Sequence, residues 1–372
     1  MKGIVMARTY RVAVFGRTGK GNYGHGLDTC WLEVPQTQVV AVCDENEAGR
    51  ADAAKRLHVD KTYADYRKML DEVKPDILAI GPRWIDLHRD VAVAAAQRGI
   101  HIYMEKPFCR TPAEADEIVH VCEMTHTKLA VAHPTRYSPK MHTIRRLIQD
   151  GAIGRVVELR GRGKEDRRGG GEDLWVLGSH VMDMMLALGH QPQWCFASVL
   201  QDGEPLQKKH VAEGNEGLGR LAGDAVRAEY GMQEGITASF RSYRDAAGRP
   251  SRYGLRIFGS TGVIELFEGS MPQVYILQDP GWSTSRTAQQ WKAVSTAGIG
   301  EPEPLSDEHL ASRHSIAVKD LIHAVENNHE PMCNMYEARK VVEMIMAVFE
   351  SQRVGKPVTF PLETRENPLG LL

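Results

Sequence analysis

The sequence lacks long apolar runs, an excess of either charge and paired cysteines, and each shortage removes a class of protein. No apolar stretch in the 372 residues reaches the roughly 20 needed to span a bilayer. Met1 to Tyr10 contains no apolar run of signal-peptide length, so the cytoplasm is the expected location. Lys and Arg number 46 against 48 Asp and Glu, a formal net charge of -2. That balance provides no field to draw in nucleic acid or an anionic membrane. The basic runs Arg160 to Lys164 and Arg167 to Arg168 have acidic neighbours and read as pocket or surface charges. Six cysteines (Cys30, Cys43, Cys109, Cys122, Cys195 and Cys333) form no Cys-x-x-Cys pair, which suits free thiols in a reducing compartment. The 15 histidines make no His-Glu-x-x-His or Cys/His ligand spacing, so no metal is expected. The acidic stretch Glu301 to Glu308 reads as a solvated loop.

What is present has a clear rhythm. The length predicts two domains. Residues 9–132 alternate short apolar strands with helices: Tyr10 to Phe15, Val39 to Cys43, Ile77 to Ile80, Ile100 to Met104 and Lys128 to Ala132 as strands, with helices at Ala48 to Leu57, Tyr66 to Val73 and Arg89 to Arg98. Thr111, with Pro112 and Glu114 after it, begins another helix in a capping-box pattern. Strands apolar on both faces belong in a parallel sheet covered on each side, so this part reads as a doubly wound Rossmann domain. Residues 133–372 read as an α+β domain on an open, mostly antiparallel sheet. Val156 to Arg162, Asp224 to Tyr230, Ile236 to Tyr243, Tyr253 to Phe258, Val263 to Phe267 and Gln273 to Leu277 are its strands. Helices are expected at Pro139 to Asp150, Val176 to Leu188, Ser315 to Glu326 and Tyr336 to Gln352. The fold class is thus α/β with two domains.

The first strand runs into Gly16 and then Gly19-Lys20-Gly21-Asn22-Tyr23-Gly24, a Gly-x-Gly-x-x-Gly match. The motif alone is weak. Here a buried strand precedes it, a helix near Leu27 to Glu33 can follow, and Asp44 lies twenty positions beyond Gly24 at the end of the second strand. Glycines let main-chain N–H groups approach a pyrophosphate, and a helix N-terminus adds partial positive charge. Asp44 can accept from the hydroxyls of an adenosine ribose and would repel a 2′-phosphate, which favours NAD over NADP. Asn22 and Tyr23 are candidate cofactor contacts. A tight turn with a capping Asp is the plainer alternative.

Ligands of an open parallel sheet gather outside the carboxyl ends of its strands. Gly81-Pro82-Arg83-Trp84 and Glu105-Lys106-Pro107 emerge there. The Lys106 ammonium can stabilise a developing alkoxide; a surface lysine in a Lys-Pro turn is the alternative. His180, in the apolar helix Val176 to Leu188, titrates near neutrality and can take or return an alcohol proton, or be a satisfied structural histidine. Asp183, three residues on, can orient it or cap a neighbouring group.

Together these residues resemble the Gfo/Idh/MocA oxidoreductases. The matching features are Gly19-x-Gly21-x-x-Gly24, Asp44, the Pro82 to His88 segment, Glu105-Lys106-Pro107, Arg136-Tyr137-Ser138-Pro139, Gly178-Ser179-His180-Val181-Met182-Asp183 and the ending Gly355-Lys356-Pro357-Val358. The resemblance implies an NAD(H)-dependent oxidoreductase acting on a secondary alcohol or ketone of a sugar, cyclitol or polyol. It implies that Lys106 and His180 act at the substrate hydroxyl, that Gly16, Pro82, Trp84, His88 and Glu105 join the cofactor site, and that the exposed sheet face helps assemble a dimer or tetramer. Arg136, Tyr137, Lys164, Arg167, Glu172, Asp173 and Trp175 are candidate substrate residues. In one place the sequence departs from the family: Val176 stands where many members have an Asp four residues before the histidine. Glu172 and Asp173, after Gly169-Gly170-Gly171, can supply a carboxylate from a different backbone position, and can equally bind substrate hydroxyls or cap the helix that follows. The departure leaves open a cycle of transient sugar oxidation with glycosidic cleavage, and a non-catalytic NAD sensor. The Pro82 to His88 spacing also exceeds the usual.

Overall fold

A computed structural model describes residues 8–305 and 314–372. The end of the acidic stretch and most of the first ten residues lie outside it. The chain divides into two units. One comprises residues up to Cys109, Glu114–Ala132 and the stretch around the helix Ser315–Asn327 as far as Tyr336; the other holds the rest.

In the first unit, β1 (Tyr10–Phe15), β2 (Thr37–Cys43), β3 (Thr62–Tyr63), β4 (Ile77–Ile80), β5 (His101–Met104) and β6 (Leu129–Val131) form one parallel sheet in the order β3-β2-β1-β4-β5-β6. This is the doubly wound order whose chain reverses direction at β1 and β4 and opens a crevice at their carboxyl ends. The Val, Ile and Ala runs of β1 and β4 are buried on both sides, as a helix-covered parallel sheet requires. The crossovers are α1 (Glu47–Leu57), α2 (Tyr66–Val73), α3 (His88–Ala96) and α4 (Pro112–Thr125), of which α1 and α2 start on side-chain caps. Asn46 accepts from the Gly49 N–H, and Asp65 from the Lys68 N–H, each satisfying a donor that a helix start leaves orphaned.

The second unit is built on β7 (Val156–Arg162), β8 (Pro192–Gln201), β9 (Glu204–Pro205), β12 (Ala225–Met232), β13 (Thr237–Tyr243), β14 (Gly254–Gly259), β15 (Gly262–Phe267), β16 (Val274–Leu277), β17 (Lys292–Ala293) and β18 (Val358–Thr359); β10 (Ala212–Glu213) and β11 (Arg220–Leu221) form a separate ribbon. The large sheet runs β17-β16-β15-β14-β7-β13-β12-β8-β18, with β9 on β8. Every pair is antiparallel except β13 with β7. The helices of this part of the chain are α5 (Pro139–Gln149), α6 (Gly171–Val176), α7 (Gly178–Ala187), α8 (Ser315–Asn327, in the first unit) and α9 (Met335–Val354). α7 lies on one sheet face so closely that a β-carbon at Gly161 would meet Val181 at 2.5 Å. α9 is fastened to the sheet by the Tyr230 hydroxyl on the Met344 carbonyl and by Ser351 and Gln352, which accept from the Ala197 and Val199 N–H groups. The opposite face carries Trp194, Phe196, Arg160, Arg241 and Arg256 and is exposed.

Two local differences from the sequence reading stand out. The helix expected after the glycine loop is a single 3-10 turn, Cys30–Glu33, because Gly24 and Gly26 take positive φ of 69° and 89° and interrupt helical winding. The helix expected across Val176 breaks at Leu177 into α6 and α7. No helix among the described residues is long and apolar enough to cross a membrane.

Candidate active site

The glycine loop leaves β1 at Gly16 and folds into a small hairpin. Arg17 and Asn22 exchange main-chain hydrogen bonds, and the Asn22 side chain accepts from the Gly19 N–H. Gly21 sits against the backbone after β4: its φ is +82°, and a β-carbon would lie 2.3 Å from the Arg83 nitrogen. Gly24, at φ +69°, is also tight: a β-carbon there would lie 2.8 Å from the Gly81 carbonyl and the Glu105 side chain. Only glycine meets both demands, positive φ and close approach.

Asp44 is fully buried. One carboxylate oxygen accepts from the Thr18 N–H and hydroxyl, the other from the Asn46 N–H, at 2.7–2.9 Å. The Tyr23 ring covers Gly16; burial, with Asp44 beside it, pushes its phenol above the ordinary range. Asp44 therefore latches the loop to β2, and the neighbouring carboxylate, Glu45, is the exposed one. Thr18, which no motif singled out, completes the latch.

Glu105 and His88 are also buried. Glu105 accepts from the His25 and Lys106 N–H groups, joining the glycine loop to the end of β5. The His88 ring nitrogens face the Pro107 carbonyl at 2.8 Å and the Pro82 carbonyl at 2.7 Å. Burial holds this imidazole's pKa down. His88 thus ties the β4 loop to the Lys106-Pro107 turn, whose peptide bond is cis. The longer Pro82 to His88 spacing is taken up by a 3-10 turn, Ile85–Leu87, with half-buried Trp84 as its cap. Lys106 is only 6% exposed, which removes the solvated-surface alternative. The crevice at the β1/β4 reversal, lined by this glycine hairpin with an exposed carboxylate at the end of β2, fits a dinucleotide.

In the second unit, His180 lies in the first turn of α7 and is buried. Its Nδ1 is 3.5 Å from a carboxylate oxygen of Glu268, directly after β15. The His133 ring meets His180 edge to face, with centroids 5.1 Å apart. The Thr135 hydroxyl, 3.5 Å from the same Glu268 oxygen, accepts from the Gly269 N–H. No spacing in the sequence pointed to Glu268 or His133; their approach depends on pairing of distant strands.

The other candidates separate. Asp183 pairs with Arg136 at 2.8 Å, both buried, and Glu337 lies 3.4 Å from the same guanidinium. Asp173 is enclosed, accepting from the Ser242 hydroxyl and the Lys164 and Glu165 N–H groups, and burial pushes its carboxyl up. Glu172 accepts from Asn215. Both carboxylates thus spend these contacts away from His180. Trp175 and Tyr137 are buried, whereas Lys164 and Arg167 are exposed. Gly169-Gly170-Gly171 lets the start of α6 lie against the Tyr243, Gly223 and Ala222 carbonyls, where any side chain would collide. Among the described residues no group of His, Cys, Asp or Glu forms a metal-holding cluster.

This combination of a doubly wound sheet, a glycine hairpin and an open sheet defines a class, and comparison with known proteins gives its name. Residues 10–133 match the family model described as "Oxidoreductase family, NAD-binding Rossmann fold", and residues 141–265 the "GFO/IDH/MocA C-terminal domain". The chain belongs to the Gfo/Idh/MocA oxidoreductase family. Its relatives include levoglucosan dehydrogenase of Pseudarthrobacter phenanthrenivorans, 27% identical over 62% of this chain and 65% of that one. D-glucoside 3-dehydrogenase of Escherichia coli is 20% identical over 96% and 99%. The first of these alignments spans just under two thirds of its relative's length. A solved levoglucosan dehydrogenase complexed with NADH and levoglucosan shares the fold, with a TM-score of 0.75 at 20% identity over 95% of this chain and 100% of that one.

Proposed function

We propose that the protein is an NAD(H)-dependent dehydrogenase that interconverts a secondary alcohol and a ketone of a sugar, cyclitol or related polyol. The observation that carries this reading is Lys106: a buried ammonium directly after β5, braced through the main chain by Glu105 and His88. An ammonium held at the carboxyl end of the parallel sheet can stabilise an alkoxide forming at a substrate oxygen. Gly16, Gly19, Gly21, Asn22 and Gly24 would hold the pyrophosphate of NAD, and the Asp44-Glu45 end of β2 its adenosine ribose. Bound NAD supplies the acceptor for the carbinol hydride. His180 takes the hydroxyl proton in oxidation and returns it in reduction, while Lys106 steadies the oxygen. Lys164, Arg167 and Glu172 are the solvent-facing candidates for sugar hydroxyls; Arg136, Tyr137, Asp173 and Trp175 shape the scaffold behind them. The names of the relatives, levoglucosan and D-glucoside dehydrogenases, support a carbohydrate substrate.

The exposed face of the second sheet, where Trp194 and Phe196 stand beside rows of Arg and Glu around a groove of about 390 Å³, is read as the surface on which copies of the chain assemble. A single-chain mass in sedimentation would remove that assignment. Six buried free thiols accord with the cytoplasm; recovery of the native protein from an oxidising compartment would contradict it.

A panel of sugars and cyclitols with NAD⁺, followed by NADH absorbance, tests the activity. Lys106→Ala should lower kcat by about 10³-fold while NADH affinity stays within about threefold. Undiminished turnover in that variant would end the assignment. Substrate cleavage without net NADH would point to the transient-oxidation cycle instead.

A further inference from the structure

A histidine that takes a proton from an alcohol works best when a carboxylate fixes its tautomer and balances the imidazolium that forms. The sequence offers none nearby: Val176 cannot ionise, and Asp183 is committed to Arg136. The fold brings one from 88 positions along the chain. Glu268 leaves the end of β15 beside α7, its carboxylate 3.5 Å from His180 Nδ1 and 19% exposed, against 8% for the histidine side chain.

We propose that Glu268 is the positioning carboxylate of His180. It holds the proton on Nδ1 and so leaves Nε2 as the base. This rests on the dehydrogenase reading above. In oxidation the substrate O–H bond breaks and an Nε2–H bond forms. The carbinol hydride would pass to NAD when that cofactor is bound, and Glu268 stays ionised throughout, balancing the imidazolium charge. In reduction the same proton returns.

The surroundings make this carboxylate a built feature. Its main-chain N–H is bonded to the Tyr253 carbonyl, and the Tyr253 hydroxyl to the Leu177 carbonyl. Leu177 is the break from which α7 starts. The helix bearing the histidine and the turn bearing the glutamate are therefore fastened through one tyrosine. The Thr135 hydroxyl lies 3.5 Å from the same carboxylate oxygen. Other ionisable groups on the packed elements are His133, edge-on to the imidazole, Tyr253, whose buried phenol is pushed up, and the Arg136-Asp183 pair one turn along α7. At 3.5 Å the contact is long for a hydrogen bond between charged groups, a separation that can shorten as positive charge develops on the ring.

The test uses the full chain and two independent readouts. Side-chain NMR of the cofactor-free protein follows the His180 titration, assigned through His180→Asn. Glu268→Gln should lower that pKa by about one unit or more; Glu268→Asp should restore most of the shift. On the active enzyme, Glu268→Gln should reduce kcat by about 10- to 10²-fold and move the acid limb of its pH profile, with NADH affinity within twofold. An unmoved titration in a folded Glu268→Gln variant, or a kcat within twofold of the parent, overturns the proposal. The NMR arm needs no substrate. A shifted titration with no NADH from any polyol would uphold the pair and discard the dehydrogenase reading, while NADH production with an unmoved titration would do the reverse.

Discussion

The glycine hairpin and the His180 turn solve the problem of buried polar groups in opposite ways. In the first unit the polar side chains are held by main chain: Asp44 by the Thr18 and Asn46 N–H groups, Glu105 by those of His25 and Lys106, His88 between two carbonyls. Such partners cannot change rotamer, so the cradle is set once the sheet has formed. In the second unit the corresponding groups meet side chain to side chain: His180 with Glu268 and His133, Arg136 with Asp183 and Glu337. Those contacts can lengthen, shorten and share protons. Stiffness where a fixed shape is to be gripped, and adjustability where charge must move, is the division expected of a cofactor half and a chemistry half.

The contrast can be broken most severely at the Arg136-Asp183 pair. Asp183→Ala leaves a buried guanidinium short of its main counter-charge and should cost about 3–5 kcal/mol of unfolding free energy. Urea denaturation measures this, and a loss below about 1 kcal/mol would mean that Glu337 alone suffices. Next in size, Gly21→Ala puts a β-carbon into the Arg83 backbone at positive φ, a strain of roughly 1–3 kcal/mol. NADH affinity should fall about tenfold or more, with the His180 titration unmoved. Unchanged affinity would show that the hairpin yields more than its main-chain bonds suggest. The smallest effect belongs to pH. His101 Nδ1 accepts the Lys128 N–H, and burial, with Arg8 nearby, pulls this imidazole down to about 4. The unfolded chain takes up a proton near pH 6.5 and the folded one does not, so this contribution is complete above 6.5 and is lost as pH falls toward 4. Between pH 7 and 5 the protein should lose about 1–2 kcal/mol through this group, and His101→Gln should flatten that slope. An equal slope in the variant would assign it to other groups.

The first unit was legible in the sequence because its logic is local. Apolar runs of four to six residues, the Thr111-Pro112 helix start and glycine at the strand end each carry their own physical reason. What escaped is non-local or disguised. The strand β8 was missed because its outward residues Trp194 and Phe196 are large and apolar, which hides the period-two alternation within a mostly apolar stretch. The shortened helix after the loop was missed because a motif match states where glycines fall, and says nothing of Gly26 ending the winding. Asp173 read as a ligand because a carboxylate after three glycines suggests a pocket; its hydroxyl partner, Ser242, is 69 positions away. Glu268 lies 88 positions beyond His180, and no period or spacing links them.

The six buried thiols provide a gauge that needs no engineering. Five of them, Cys30, Cys43, Cys109, Cys122 and Cys333, belong to the first unit and Cys195 to the second. Burial pushes Cys43 and Cys122 up to about 12, so each stays protonated and shielded until its surroundings open. Alkylation rates read by peptide mass would then report the opening of either half separately, Cys195 serving as the lone witness for the sheet that carries the histidine.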